Sequence, residues 1–388
     1  MRILQLHTRY REPGGEDVVV RAEAELLRDA GHEVVHYQVR NPGGVAATAA
    51  ALAGAAWNPG SARAVRRVAE RLRPDVAHVH NTWFALSPAV LPALRRAGVP
   101  VVATLHNYRL LCANGQLFRE GRPCEDCVGG NPWTGVRHRC YRDSAVLSVP
   151  AAATITLHAR RGTWQRDVDL LLAPTAFARA LLVRGGLPAE RIRVKPNFVA
   201  DPGPRTVPAA RSRTLLYVGR LAEQKGVDVL LEAWVRRADP ELELLVVGDG
   251  PLGEALERRG ASGVRFEGRL PPDAVRARML SARALVFPSR SYEVQPLVVL
   301  EALAAGLPVL ASALGALPEL LEPLGPAWTV ADGTASAWAS ALGRLHDPQS
   351  VAKASAAARA RYEASFTPTI ALRNLLDAYE WARRPRTS

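Results

Sequence analysis

Short apolar runs of strand length alternate with amphipathic stretches of helical length twice over along this chain. That repetition limits the fold more than any single residue does. In the first half, residues 3–6, 33–37, 76–80, 101–105 and 170–173 read as strands, with helical patterns at 17–30, 61–72 and 88–96. Segment 201–208, DPGPRTVP, breaks the rhythm with three prolines and reads as a stiff connector. The alternation then resumes with strands at 214–218, 243–247, 264–266, 284–287 and 309–311. Strands alternating with helices predict parallel sheets built from βαβ units. A chain of 388 residues exceeds one hydrophobic core, so two α/β domains separated by a cleft are predicted, at 1–200 and 209–368. Helical stretches at 350–363 and 369–383 close the chain, and an Ala-rich tract covers 46–56.

The segment from Glu293 to Pro308 carries the most chemistry. Pro296 suits the first turn of a helix and Gly306 its end, which places Glu293 in the preceding loop and Glu301 inside the helix. The N–H groups of Leu297 and Val298 are then free at the helix start, where an anion is favoured. Two carboxylates beside such a terminus can hold sugar hydroxyls next to a diphosphate. The strand at 284–287 ends just before Glu293, and ligands of open α/β sheets bind at that edge.

Composition sets outer bounds. A net charge of +13 implies an anionic partner. The basic residues are scattered, aromatics are only 6%, and no reading module is visible, which speaks against nucleic acid. No uncharged apolar run reaches the roughly 18 residues of a membrane span. The N-terminus shows no signal-peptide pattern, so a cytoplasmic location is expected, with the inner membrane face as an extension.

Three further segments join the acidic pair. They are Tyr217-Val-Gly-Arg220-Leu-Ala-Glu-Gln-Lys225-Gly226, Pro13-Gly14-Gly15-Glu16 and Val247-Gly248-Asp249-Gly250-Pro251. With Glu293-x7-Glu301 and Gly315-Ala-Leu-Pro318-Glu319, their order resembles the signature of the retaining glycosyltransferase family 4. Members are of GT-B type, with two Rossmann-like doubly wound domains facing across a cleft. The resemblance spans nearly the whole chain and implies transfer of a sugar from a UDP- or GDP-sugar to a hydroxyl of a glycan or lipid-linked acceptor. That would serve surface polysaccharide or glycolipid biosynthesis. It implies that Arg220 and Lys225 clamp the departing diphosphate, a task suited to cations in a desolvated cleft. Glu301 is then the acid for the ribose hydroxyls and Glu293 the one for the donor sugar. Gly14 and Gly15 leave room for acceptor and diphosphate, and Gly248 belongs to the donor side. His106 resembles the histidine beside the reacting sugar, and His80 and Asn81 border the acceptor pocket. Asn197, in Lys195-Pro-Asn197, marks the junction between domains. The C-terminal helix, 369–388, is implied to cross back onto the first domain. Retention needs no side-chain nucleophile if the departing phosphate takes the acceptor's proton, and no divalent metal is expected in catalysis.

All four cysteines fall in one insert at 107–143, as Cys112-x11-Cys124-x2-Cys127-x12-Cys140. Such clustering reads as a structural tetrahedral zinc site on a segment too polar and Gly-rich to fold on a core of its own. Two disulfides or free thiols are the alternatives. The same cassette occurs in a subset of family 4 enzymes.

The stretch 61–73 forms an Arg-rich amphipathic helix containing Arg63, Arg66 and Arg67, and 157–166 sets Trp164 among cations. An ordinary solvated face is the first reading of both, and peripheral contact with an anionic membrane the second. Two rival functions stand beside transfer: a nucleotide-sugar epimerase of the same double fold, and a basic zinc-containing nucleic-acid binder.

Overall fold

The computed structural model describes residues 1–10, 14–237 and 239–384. The chain divides into two compact units. One comprises Met1–Leu117, Cys124–Pro196 and the C-terminal stretch from Thr369; the other comprises Asn197–Pro368 together with residues 118–123.

The first unit holds a six-stranded parallel sheet in the order β2-β1-β3-β4-β7-β8. These strands are β1 (Arg2–Arg9), β2 (Glu33–Arg40), β3 (Val76–Asn81), β4 (Val101–Thr104), β7 (Leu170–Ala173) and β8 (Ile192–Val194). Between β4 and β7 the insert contributes a small antiparallel hairpin, β5 (Phe118–Arg119) and β6 (Arg122–Pro123), which groups with the second unit. Every residue of β3, β4 and β7 is buried, as expected of central strands covered on both faces. One face is covered in part by the C-terminal helix, Pro368–Arg383. Its Leu375, Ala378, Tyr379 and Ala382 pack with Ile3, Val76, Val102, Leu170 and Leu172. Full burial of a side chain such as Leu375 contributes about 1.5–3 kcal/mol.

The second unit holds another six-stranded parallel sheet, in the order β11-β10-β9-β12-β13-β14. Its strands are β9 (Thr214–Val218), β10 (Glu243–Val247), β11 (Val264–Gly268), β12 (Ala284–Phe287), β13 (Val309–Ser312) and β14 (Thr329–Val330). Numbered within the unit, this is the order of a dinucleotide-binding sheet. The strand sequence reverses between neighbouring β9 and β12, and between β1 and β3 in the first unit. Both domains are thus α/β and doubly wound.

The Pro-rich segment 201–208 is no free connector, because it is strapped to the second unit. The Arg205 guanidinium donates to Met279 O and Ala305 O at 3.2 and 3.1 Å, and to Ala282 O at 2.5 Å. These carbonyls close the ends of helices Pro272–Ser281 and Leu297–Ala304, which lack partners within the helix. Asp201 pairs with Arg359 at 2.6 Å. Prolines signalled a stiff segment; Arg205 decided what it lies on. The helix expected from residue 17 begins at Gly15, that expected from 88 begins at Val90, and the Ala-rich tract forms helix Val45–Ala53.

Candidate functional site

In the second unit the loops after β9 and β12 leave adjacent strands at the reversal point. The first carries Gly219, Arg220 and a single tight turn, Glu223–Lys225, closed by Gly226 in the left-handed region at φ 67°. A Cβ at Gly226 would stand 2.0 Å from Pro288 O, so glycine alone lets the two loops touch. That contact delivers Lys225 to Glu293, with Nζ 2.7 Å from Oε1. Ser289 Oγ donates to the same carboxylate oxygen at 2.7 Å. Lys225 also lies 5.7 Å from the centre of the Phe287 ring. The Arg220 guanidinium is exposed and has no hydrogen bond or ion pair with a described residue, although its carbonyl accepts from Tyr217 OH.

Helix Leu297–Ala304 begins right after Pro296, which is extended, and Gly306 beyond its end has φ 58°. Val299 and Leu300 donate to Pro296 O, while Leu297 N–H and Val298 N–H have no acceptor among the described residues. Glu301 is exposed by area, yet desolvation holds its carboxyl above the ordinary value, with Arg276 in partial opposition. Gly248 has a cause within the protein itself: at φ 140° its Cβ would fall 1.9 Å from Gly219 O. Its first duty is to let the loops after β9 and β10 lie against one another, zipped by Gly219 N–H to Val247 O and Leu221 N–H to Asp249 O.

In the first unit the corresponding edge gathers Gly14, Gly15, Glu16, Asn81, His106 and Asn107. Gly14 is extended and a Cβ there meets no described residue within 4 Å, so neither backbone strain nor crowding by the described residues explains it. Pro13 lies outside the described residues. The turn is fixed by Asp17, whose Oδ2 accepts Gly14 N–H at 2.9 Å and whose Oδ1 faces His7 Nε2 at 3.0 Å. Gly15 opens helix Gly15–Asp29.

Glu16, unassigned from sequence, proves central. Asn81 Nδ2 donates to Oε1 at 2.8 Å and Asn107 Nδ2 to Oε2 at 3.4 Å. Desolvation, then the neighbouring Asp17 charge, pushes its carboxyl up to about 8 against the pull of Asn81, Arg109 and Asn107. His80, Asn81, His106, Asn107 and Arg109 line a mostly apolar pocket, backed by Ile155 and Trp164. His80 Nδ1 lies 3.0 Å from His106 Nε2. Asn197 donates its N–H to Gln295 Oε1 at 2.6 Å, a contact inside the second unit.

The four cysteines are free thiols, with no disulfide among them. Gly135 donates its N–H to the Cys127 sulfur and its carbonyl accepts Cys140 N–H at 2.9 Å. Burial, then the neighbouring Cys112, Cys140 and Cys124, pushes the Cys127 thiol up to about 12. The insert leans on the first unit through Ala113, Cys140 and Tyr141, which pack against Trp83, Phe84 and Leu52. Arg109 stands over both Trp83 and Tyr141, at 4.7 and 5.3 Å, and donates to Ala113 O at 2.7 Å and Asn114 O at 3.1 Å.

Arg63, Arg66 and Arg67 are exposed on helix Pro59–Leu72, which buries Ala62, Val65 and Ala69. Among the described residues no helix is long and apolar enough to cross a membrane.

Two doubly wound sheets, with a cation–carboxylate pair and a helix N-terminus at the reversal point of the second, define a GT-B architecture. The model of glycosyltransferase family 4 matches residues 13–201, and that of glycosyl transferases group 1 matches residues 212–347. The chain belongs to this glycosyltransferase family. It is 30% identical over 306 residues to the glycogen synthase of Mycobacterium tuberculosis, covering 76% of this chain and 66% of that one, slightly under two thirds. It is 29% identical over 356 residues to the phosphatidyl-myo-inositol mannosyltransferase of Mycolicibacterium smegmatis, covering 87% of this chain and 82% of that one. Anabaena HepE, solved with UDP-glucose, shares the fold with a TM-score of 0.69 at 19% identity, over 98% of this chain and 99% of that one.

Proposed function

We propose that this protein transfers a sugar from a nucleoside-diphosphate sugar to a hydroxyl of a glycan or lipid-linked acceptor, with retention of anomeric configuration. The observation that carries the reading is the Lys225–Glu293 pair at the β9–β12 reversal point, one short loop from the unpaired N–H groups of Leu297 and Val298. A pyrophosphate there meets Lys225, Arg220 and a helix dipole. Lys225 has three N–H donors and Glu293 engages one, so the others remain for the departing phosphate. Negative charge growing on that group is stabilised by groups already oriented toward it, which is the main source of acceleration. Glu293 holds a sugar hydroxyl and Glu301 the ribose. The acceptor's proton passes to the departing phosphate, so none of the side chains named here need act as nucleophile.

The UDP-glucose bound to HepE makes UDP-sugars the first donors to test, with GDP-sugars second. The two relatives' names, one a glycogen synthase and the other a mannosyltransferase acting on phosphatidyl-myo-inositol, support a role in surface polysaccharide or glycolipid biosynthesis. The acceptor side falls to Gly14, His80, Asn81 and His106 of the first unit, with Gly15 toward the donor. Cys112, Cys124, Cys127 and Cys140 would hold a structural zinc ion, since four thiols on one insert, none oxidised, fit its donor set. The exposed arginines of helix Pro59–Leu72 would touch anionic headgroups at the cytoplasmic membrane face.

Incubation with UDP- and GDP-sugars, with and without glycan and lipid-linked acceptors, tests the reading. It predicts acceptor-dependent release of nucleoside diphosphate and a product whose anomeric coupling matches the donor's. Acceptor-independent conversion to an isomeric sugar would favour an epimerase instead.

A further inference from the structure

We propose that Gln5 fixes the tautomer of His106 through His80, so that His106 meets its ligand as an N–H donor and not as a base. Only that last consequence rests on the function proposed above; the proton placement does not.

The relay begins at a backbone carbonyl. The Gln5 side-chain nitrogen lies 3.2 Å from Val20 O, an acceptor with no proton to give, so this end of the amide must be the donating –NH2. The same nitrogen stands 3.0 Å from His80 Nε2. A donor can meet only a bare ring nitrogen, so the single proton of neutral His80 sits on Nδ1. Gln5 Oε1 is left without a partner, which agrees with the nitrogen making both bonds.

His80 Nδ1–H then points at His106 Nε2, 3.0 Å away. The two rings lie within 22° of coplanar with centroids 5.3 Å apart, the geometry of an edge-to-edge N–H···N bond. His106 Nε2 therefore accepts, and its own proton belongs on Nδ1, which makes no hydrogen bond to a described residue. Burial holds both imidazoles well below their ordinary pKa, so each carries one proton near neutrality.

One competitor faces the relay. Glu23 Oε2, buried and with no hydrogen-bond partner of its own, lies 3.7 Å from His80 Nε2, beyond hydrogen-bond reach and farther than the Gln5 nitrogen, while Glu23 Oε1 is paired with Lys195. His78 is engaged separately, by Tyr379 OH at 2.8 Å and Thr104 Oγ1 at 2.7 Å. An Nδ1–H donor on His106 suits an oxygen of a sugar or a phosphate. It has no free lone pair with which to deprotonate an acceptor hydroxyl.

The test is a long-range ¹H–¹⁵N correlation spectrum of the wild-type protein labelled in histidine, assigned with His80→Asn and His106→Asn. Nδ1–H patterns for both rings are expected, although free neutral imidazole favours Nε2–H. In Gln5→Leu the His80 proton should move to Nε2, toward Glu23, and the His106 pattern should follow. An Nε2–H pattern for either ring in the wild type overturns the relay without any variant. Unchanged patterns in folded Gln5→Leu overturn the role of Gln5. Transfer activity is not the readout, so failure of the proposed reaction and failure of this relay give different results.

Discussion

Replacing Lys225 with Met separates binding chemistry from stability. The Lys225 and Glu293 side chains are 25% and 13% exposed, so their pair lies between a surface contact worth up to about 1 kcal/mol and a buried one costing about 3–5 kcal/mol to break. Ser289 continues to hold the carboxylate, and the loss of stability should be about 1–2 kcal/mol. For a domain of this size that lowers Tm by roughly 2–8 °C. The catalytic loss should be larger, because one oriented donor to a developing charge is worth about 10²–10³ in kcat, or about 2.7–4 kcal/mol. The assay combines initial rates of nucleoside diphosphate release with calorimetric Kd for UDP and GDP, at a temperature where the variant is fully folded. Lys225→Arg, which keeps the charge at a shifted position, should recover part of the rate. A kcat/KM for Lys225→Met within about threefold of wild type would refute the assignment, as would a loss that merely tracks the unfolded fraction.

Three other outcomes follow from the same geometry. Glu16 is ionised in the unfolded chain above about 4.5 but stays protonated in the fold up to about 8, so the unfolded state binds fewer protons and stability falls as pH rises through that window. Glu16→Gln should therefore gain in Tm relative to wild type between pH 5 and pH 9, and a constant difference would contradict the protonated carboxyl. Metal analysis should find about one zinc per chain, lost together with several degrees of Tm in Cys124→Ser/Cys127→Ser; a metal-free wild type of equal stability would remove zinc from the account. Neutralising Arg63, Arg66 and Arg67 to Gln should weaken sedimentation with anionic vesicles, at about 1 kcal/mol per charge near the surface; unchanged sedimentation would mean a solvated helix.

The alternation of strands and helices was legible because buried parallel strands must be apolar throughout, and β7, β9, β10 and β12 fall where the apolar runs stand. Helix Leu297–Ala304 was legible for a different reason: Pro296 and Gly306 punctuate it chemically. The pairing of Lys225 with Glu293 was not, since 68 residues separate them and only the β9–β12 adjacency joins them. Gly248 was assigned to the donor side through the resemblance alone; the close approach of Gly219 O, which requires a glycine there whatever binds, shows only in three dimensions. Glu16 passed unnoticed because its importance comes from Asn81 and Asn107, on other strands' ends. Gln5 looked like an ordinary strand residue, and only the positions of Val20 O and His80 make its amide directional.

Calorimetric titration of the wild type with UDP and GDP, set beside uridine and guanosine, tests the central claim most directly. The account predicts that one diphosphate binds, that its parent nucleoside binds at least tenfold more weakly, and that Arg220→Ala narrows the gap. Equal affinity for nucleoside and diphosphate, or no binding of either diphosphate, would contradict a pyrophosphate seat at Lys225 and the start of helix Leu297–Ala304.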